Sequence, residues 1–240
     1  MVDLAGAHVL AVLTRAPSSG GKSRLFASLG VPADPQLLEA LLLDTIDNAA
    51  APGVRVVVAV TPPSACDEVR ATLRSHSTAL TRGQTPTPTP GQTPVPIDAL
   101  VIAQADGDLG ERMRATMATL FARGAAAVAL IGSDLPHIRS SSIVTAFDTL
   151  THDRDALILG PAADGGYYLV ASTRVPDVFT QIDWGTSRVL AQTEDAARAR
   201  GLRVHLLPVL TDVDTSEDLR TVAAEGRAPR TAAWIREVLQ

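Results

Sequence analysis

The sequence predicts an α/β fold built on a mostly parallel mixed sheet with helices on both faces. Apolar runs of strand length, such as HVLAVL (8–13) and VRVVVAV (54–60), alternate with helix-length periodic segments, the pattern of parallel βαβ units. Of the 240 residues, 46% are hydrophobic and only 3% aromatic, so Leu, Val, Ile and Ala must fill a full core. Acidic loops follow two of the apolar runs, at the strand ends where open α/β sheets hold ligands.

His8–Leu13 reads as the first buried strand. Asp34-Pro35 then supplies an N-cap and a first-turn proline for a helix to about Ala50, with Leu38, Leu42, Ile46 and Ala49 on one face. Val54–Val60 is the second strand, and a helix runs from about Ser64 to Ser75. Residues 83–96, GQTPTPTPGQTPVP, interrupt the rhythm, because repeated Thr-Pro removes backbone donors and biases the chain toward extended conformations. This segment reads as a solvated insertion rather than a docking ligand for a proline-reading domain. The α/β rhythm resumes at once with Leu100–Ala103, so a single domain spanning 1–240 is expected.

Asp108 and Glu111 form a capping pair for a helix to Ala122, which Gly124 stops. Ala126–Ile131 is the central strand, Ser142–Leu150 a helix, and Ala156–Leu159 and Tyr167–Ala171 further strands. A helix from about Ser187 to Arg200, a strand Arg203–Leu207 and two short helices, Ser216–Ala224 and Thr231–Leu239, finish the series.

Composition removes several function classes. A formal charge of −5 and the lack of any Lys/Arg run argue against nucleic acid as a partner. The single cysteine, Cys66, excludes an internal disulfide and a Cys-based zinc cluster. No apolar stretch approaches transmembrane length, and the opening MVDLAGAHVLAVL lacks a basic n-region, so a cytoplasmic protein with no membrane partner is expected. A homodimer is compatible with all of this.

The chemistry is carried by loops. AAAVALIGSDLP places Asp134 just past a strand, and VHLLPVLTDVDTSEDL places Asp212 and Asp214 between a strand and a helix. Singly, Asp134 merely ends a strand and Asp214 caps a helix. Together they suit a hard divalent cation, Mg²⁺ or Mn²⁺, that also takes phosphate oxygens. After the first strand comes TRAPSSGGKSRL, where Gly20, Gly21 and Ser23 let backbone approach an anion while Arg15, Lys22 and Arg24 supply charge. A flexible surface turn is the plainer account of the same residues.

APSSGGKS also comes close to the phosphate loop of NTPases, with Ala16 in place of the first glycine. Pro17 and the short distance from Ser23 to Gly30 and Pro32 oppose that reading, since such a loop feeds a long helix. GPAADGGYYLV places Asp164, Gly165, Gly166 and Tyr167 between two strands, either as a plain hairpin turn or as a substrate loop whose carboxylate takes an acceptor proton. IDWGTSRVL puts Trp184, Gly185 and Thr186 in a loop, to stack on a ligand or to plug the sheet edge. QADGDLGERM reads mainly as a solvated helix start, with Arg112 able to reach a phosphate. His137, His152 and Cys66 have no partners at recognisable spacing, and no Ser or Cys nucleophile has a His/acid partnership.

The ordered series TRAPSSGGKSRL, GDLGERM, LIGSDLP, LGPAADGGYYLV, IDWGTSRVL and TDVDTSEDL resembles the radical-SAM/selenodomain-associated transferase family, also described as arsenosugar-biosynthesis glycosyltransferases, from about Val9 to Leu219. The resemblance implies the glycosyltransferase A-type, nucleotide-diphospho-sugar transferase fold, a Rossmann-like mixed sheet. The KSRL loop, the acidic turn and the DVDT-x-EDL ending are also similar to 2-phospho-L-lactate guanylyltransferase, although DGGYY stands where that family has a Thr-Asn pair. In such nucleotidyltransferases the glycine loop holds NTP phosphates, and the acids at the Asp134 and Asp214 positions hold magnesium.

The expectation is therefore a magnesium-dependent transferase with a nucleotide-activated donor and a small-molecule acceptor. Glycosyl transfer leads, with nucleotidyl transfer and a non-catalytic nucleotide-binding domain as alternatives. Asp134 and Asp214 bind the metal, with Asp212 as reserve. Lys22, Arg15 and Arg24 neutralise phosphates, Asp164 serves the acceptor, and Trp184 covers it.

Overall fold

The computed structural model describes residues 3–82 and 99–239, so the Thr/Pro-rich insertion expected at 83–96 lies outside the described residues. Seven strands form one sheet: β1 (His8–Arg15), β2 (Val54–Thr61), β3 (Leu100–Ala103), β4 (Ala127–Gly132), β5 (Ala156–Pro161), β6 (Tyr167–Ser172) and β7 (Arg203–Leu206). Their spatial order is β3-β2-β1-β4-β6-β5-β7. All neighbours are parallel except β6, which runs antiparallel to both β4 and β5. From β1 the chain builds outward through β2 to β3, then returns to lay β4 on the other side of β1. The strand order thus reverses between β1 and β4, which opens a crevice at their carboxyl ends.

Eight α-helices connect these strands among the described residues: α1 (Ser23–Leu29), α2 (Pro35–Ala49), α3 (Cys66–Thr81), α4 (Leu109–Ala122), α5 (Ser140–His152), α6 (Val189–Ala199), α7 (Ser216–Ala224) and α8 (Pro229–Val238). Successive strand side chains point to opposite faces, so Leu10 and Val12 join a core with α2, α3 and α5, while Val9 and Ala11 join one with α4 and α6. The both-faces arrangement expected from the sequence is the observed one.

Local signals account for the helix starts. Asp34 accepts from the Gln36 amide at 2.9 Å and begins α2 ahead of Pro35. Asp108 and Glu111 form the expected reciprocal capping box on α4, and Thr215 with Asp218 forms another on α7. Several boundaries move: β1 continues to Arg15, and α3 runs on past Ser75. The sequence reading also omitted α1, whose seven residues end at a left-handed Gly30.

The larger departure is α2. Instead of one apolar face, it buries Leu37, Leu41, Leu42 and Ile46 and also Asp44, Thr45 and Asn48. A third core explains this, because Leu25, Phe26, Leu37, Leu41, Val213, Leu219 and Trp234 pack together and draw α7 and α8 over the outer side of α2. The buried polar groups are satisfied, as they must be. Asp44 pairs with Arg230 at 2.8 Å and accepts from both the amide and the hydroxyl of Thr231. Burial pushes the Asp44 carboxyl up, opposed by Thr231 and Arg230.

Candidate active site

The loops that leave β1 and β4 meet at the crevice. Gly20, Gly21 and Lys22 take positive φ values of 68°, 135° and 50°, a run that only glycines accept easily, and the lysine completes it in a left-handed conformation. A short helical turn, Pro17–Ser19, precedes them, and its far end is pinned: the Ser18 amide donates to Glu68 at 3.0 Å and its hydroxyl donates to the same carboxylate. This geometry delivers Lys22 beneath the acidic loops. Only the seven-residue α1 follows, so the long helix required by an NTPase phosphate loop does not form.

Asp134 is held by main chain and by α2. The Thr45 hydroxyl donates to Ser133 O at 3.2 Å and accepts from the Leu135 amide at 3.1 Å, while Asn48 donates to Pro136 O at 2.5 Å. Gly132 leaves the room that the carboxylate fills, since a Cβ there would stand 2.5 Å from Asp134 Oδ1. The second acidic loop is tied to the first by one backbone bond, Val213 N to Asp134 O at 3.1 Å. Asp212 and Asp214, the residues on either side of Val213, therefore arrive beside Asp134. Thr215, not Asp214, caps α7, which leaves the Asp214 carboxylate free for other work.

Lys22 bridges the two loops. Its Nζ donates to Asp214 Oδ1 at 2.5 Å and pairs with Asp134. Burial pulls the ammonium down, but Asp134 and Asp214 reverse this and hold it well above the usual lysine range. Asp212 behaves in the opposite way. Its Oδ1 is buried with no hydrogen-bond partner among the described residues. Burial and then Asp134 push its carboxyl up to about 8, with Asp164 and Asp214 adding to the rise and only Lys22 opposing it. The residue expected as the reserve acid is thus held toward its protonated form by burial and like charge. Among the described residues, no three His, Cys, Asp or Glu side chains form a preformed cage for an ion.

Two cavities open at this junction, and Thr14, Arg15 and Asp134 belong to both. The smaller, about 240 Å³, is lined by Gly20, Gly21, Lys22 and Ser133. The larger, about 470 Å³, is lined by Asp164, Gly166, Tyr167, Trp184, Gly185, Thr186 and Asp212. Arg24 is exposed and lines neither, and Ser23 is likewise exposed at the start of α1.

The family model described as "Uncharacterized protein conserved in bacteria (DUF2064)" matches residues 45–186. The chain belongs to this family. The DUF2064 segment contains Asp134, Asp164 and Trp184, whereas Lys22, Asp212 and Asp214 lie outside it. No curated protein matches the chain. Among solved structures, a protein of Desulfovibrio desulfuricans G20, provisionally named a nucleotide-diphospho-sugar transferase, is 27% identical with a TM-score of 0.77, covering 97% of this chain and 95% of that one. CMP:2-keto-3-deoxy-manno-octonic acid synthetase, solved with CTP, is 15% identical with a TM-score of 0.54, covering 97% of this chain and 100% of its own. The 4-diphosphocytidyl-2C-methyl-D-erythritol synthase of Anaerococcus prevotii DSM 20548 is 9% identical with a TM-score of 0.54, covering 92% and 97%. The last two share the fold alone. The nucleotide-diphospho-sugar transferase fold expected from the motifs is the one observed.

The remaining motifs line the far side of the larger cavity. The Asp164 turn joins β5 to β6, and Asp164 Oδ1 accepts from the Gly166 amide at 2.8 Å, leaving Oδ2 for a ligand. Gly165 is required by the turn itself: its φ is +90°, and a Cβ would meet Ser187 O at 2.3 Å. Trp184 sits edge-on to Tyr167 with ring centroids 6.3 Å apart. Burial pushes the Tyr167 phenol up, eased by the neighbouring Thr193 hydroxyl.

Sequence reading missed Gly110, where a Cβ would fall 2.8 Å from the Trp184 indole. It also passed over Gln104, whose Nε2 donates to Thr14 O at 3.1 Å and Ala59 O at 2.7 Å beneath the cavity. Its signal was only a polar residue at the end of a buried strand. Among the described residues, no helix is long and apolar enough to cross a membrane.

Proposed function

We propose that the protein is a transferase with a nucleotide-activated donor, and that it moves a glycosyl group from a nucleotide-diphospho-sugar to a small-molecule acceptor. The observation that carries this reading is the charge imbalance at the junction of the two cavities. Asp134, Asp164 and Asp214 all press on the buried carboxyl of Asp212 beside the ammonium of Lys22, and Asp212 Oδ1 has no partner among the described residues. A structural ion cluster would be balanced. A site awaiting a cation and a phosphorylated ligand would not be.

The side chains fit a hard divalent ion, Mg²⁺ or Mn²⁺. Magnesium is held by one or two carboxylates together with substrate phosphate oxygens and needs no all-protein cage. Asp134 and Asp214 would hold it, with the orphaned oxygen of Asp212 as a third donor. When bound, the ion supplies charge compensation for the leaving diphosphate.

The protein's own groups do the rest. Arg15 and Lys22, with the amides around Gly20 and Gly21, receive the phosphates. The acceptor hydroxyl gives its proton to Asp164 Oδ2 as its oxygen bonds to the anomeric carbon. The bond from that carbon to the diphosphate breaks, and its electron pair leaves with the nucleoside diphosphate. Trp184, Tyr167 and Thr186 wall off the sugar or acceptor from water. The acidic net charge supports a small-molecule substrate rather than nucleic acid.

Nucleotidyl transfer is the second reading, favoured by the smaller cavity on the glycine loop, where Arg15 and Lys22 stand. A phosphate tail that ends there, as the pyrophosphate of an NTP would, suits its lining. Phosphorus NMR of the protein with NTPs and nucleotide-diphospho-sugars, with and without magnesium, tests both. Magnesium-dependent release of nucleoside diphosphate from a sugar donor supports the first, and pyrophosphate from an NTP replaces it with the second. Neither product, with nucleotide binding unaffected by Asp134→Ala, would leave a non-catalytic nucleotide-binding domain.

A further inference from the structure

The larger cavity contains one cationic group that neither the donor nor the metal uses. Arg112 lies in the first turn of α4, half-buried, and lines this cavity but not the smaller one. Its Nε donates to Asp108 O at 3.3 Å, and among the described residues neither terminal nitrogen makes a hydrogen bond. Among the described residues no carboxylate pairs with it. In this it differs from Arg174, Arg198, Arg200, Arg203 and Arg230, which hold acids.

A half-buried guanidinium has lost part of its hydration, and an anion is the group that restores it. The walls beside it are apolar: Leu109, 40% exposed, and Met113 from the same helix, with the Trp184 indole packed over Gly110. Asp164 faces the same cavity. The space therefore offers a proton-accepting carboxylate, an apolar wall and an anion-binding arginine.

We infer that the acceptor is a small organic acid: its hydroxyl is directed to Asp164, its apolar body lies against Met113 and Trp184, and its carboxylate or phosphate is held by Arg112. The term acceptor rests on the transferase reading, whereas the anion site does not. Arg15, shared by both cavities, serves the donor, so the two arginines that line the cavities divide the two substrates between them.

The test is a titration of the isotope-labelled full-length protein with benzoate, phenyl phosphate and the neutral benzyl alcohol. The readout is the Trp184 indole N–H, assigned by its loss in Trp184→Phe. At least one acid should move this signal with a Kd about tenfold below that of the alcohol, a value set by one charge-assisted pair. Arg112→Gln should bring the acids to within about twofold of the alcohol, and Arg112→Lys should recover part of the preference. Preference for benzoate identifies a carboxylate acceptor, and preference for phenyl phosphate a phosphate.

Equal binding of acid and alcohol, an acid preference that survives Arg112→Gln, or no movement of Trp184 with any probe overturns the inference. Parallel titrations with CTP and UDP-glucose keep it separate from the proposed function. Acid binding without nucleotide binding defeats the transferase and leaves the anion site standing. Nucleotide affinity lost in Arg112→Gln as heavily as acid affinity gives Arg112 to the donor, and the inference falls.

Discussion

Two clusters of buried or half-buried charge are built to different rules. Between α2, α3 and α8, Arg230 binds Asp44 at 2.8 Å and Asp47 at 2.9 Å, and His76 meets Asp47 at 2.8 Å. Asp44 takes two further bonds from Thr231. At the crevice Lys22 pairs with Asp134 and Asp214, while the nearby Asp212 keeps a buried oxygen without a partner among the described residues. The balanced cluster clamps helices together. The other holds Asp212 among like charges, a strain that a proton or a bound cation relieves, and perturbed groups of this kind mark candidate functional sites.

The comparison can be broken at its strongest point first. Asp134→Ala should lower transferase turnover by about 10²- to 10³-fold, as expected for removing a principal charge-stabilising group, without loss of the folded state. Thermal unfolding run alongside the phosphorus NMR assay checks both halves. A protein that retains most of its turnover would mean that the crevice is not the active site.

Arg230→Ala should do the reverse. Leaving Asp44 buried and unpaired costs about 3 kcal/mol of stability, read from urea unfolding, while nucleotide affinity of the folded protein stays within about twofold. A stable Arg230→Ala variant would show that the clamp is ornamental.

Asp212→Asn sharpens the contrast through pH. The Asp212 carboxyl titrates at about 8 in the fold against an ordinary value of 3.8. A group raised in this way supports the fold below pH 3.8 and withdraws that support as pH climbs through about 8. The variant should therefore melt higher than the wild type at pH 9, by on the order of a few degrees, with the gap closing toward acid pH. Its magnesium-dependent nucleotide shift should shrink. A lower melting temperature for the variant at pH 9 would contradict the picture of an unrelieved acid.

The smallest effect belongs to Glu68→Ala, which frees the turn that carries Ser18. The loss of these bonds should weaken nucleotide binding by about three- to tenfold by calorimetry and leave unfolding nearly unchanged.

Much of this architecture was legible from residues. Asp34-Pro35, the Asp108/Glu111 pair and the apolar runs announced elements that formed where expected, because caps and strand alternation depend on neighbours within four residues. The position of Asp134 just past β4 was legible for the same reason. The role of α2 was not: nothing local in the sequence marks Asp44, Thr45 and Asn48 as buried, which they become beneath α8 and the Asp134 loop. The ranking of Asp212 against Asp214 was hidden too, since the two differ only in which side of Val213 they occupy, and the Val213–Asp134 bond decides where each side points.

The sequence by itself determined the alternation of strands and helices, the loops that carry acid and glycine, and the chemistry those loops can offer. The tertiary structure decided the rest: that β4 returns to the flank of β1, that Lys22 meets Asp134 and Asp214, 112 and 192 positions along the chain, and that one oxygen of Asp212 is left without a partner. The physical reason is range. Periodicity and capping are read within a turn or two of chain, whereas the charge balance of a site is summed over groups that only the crossovers of the sheet bring together.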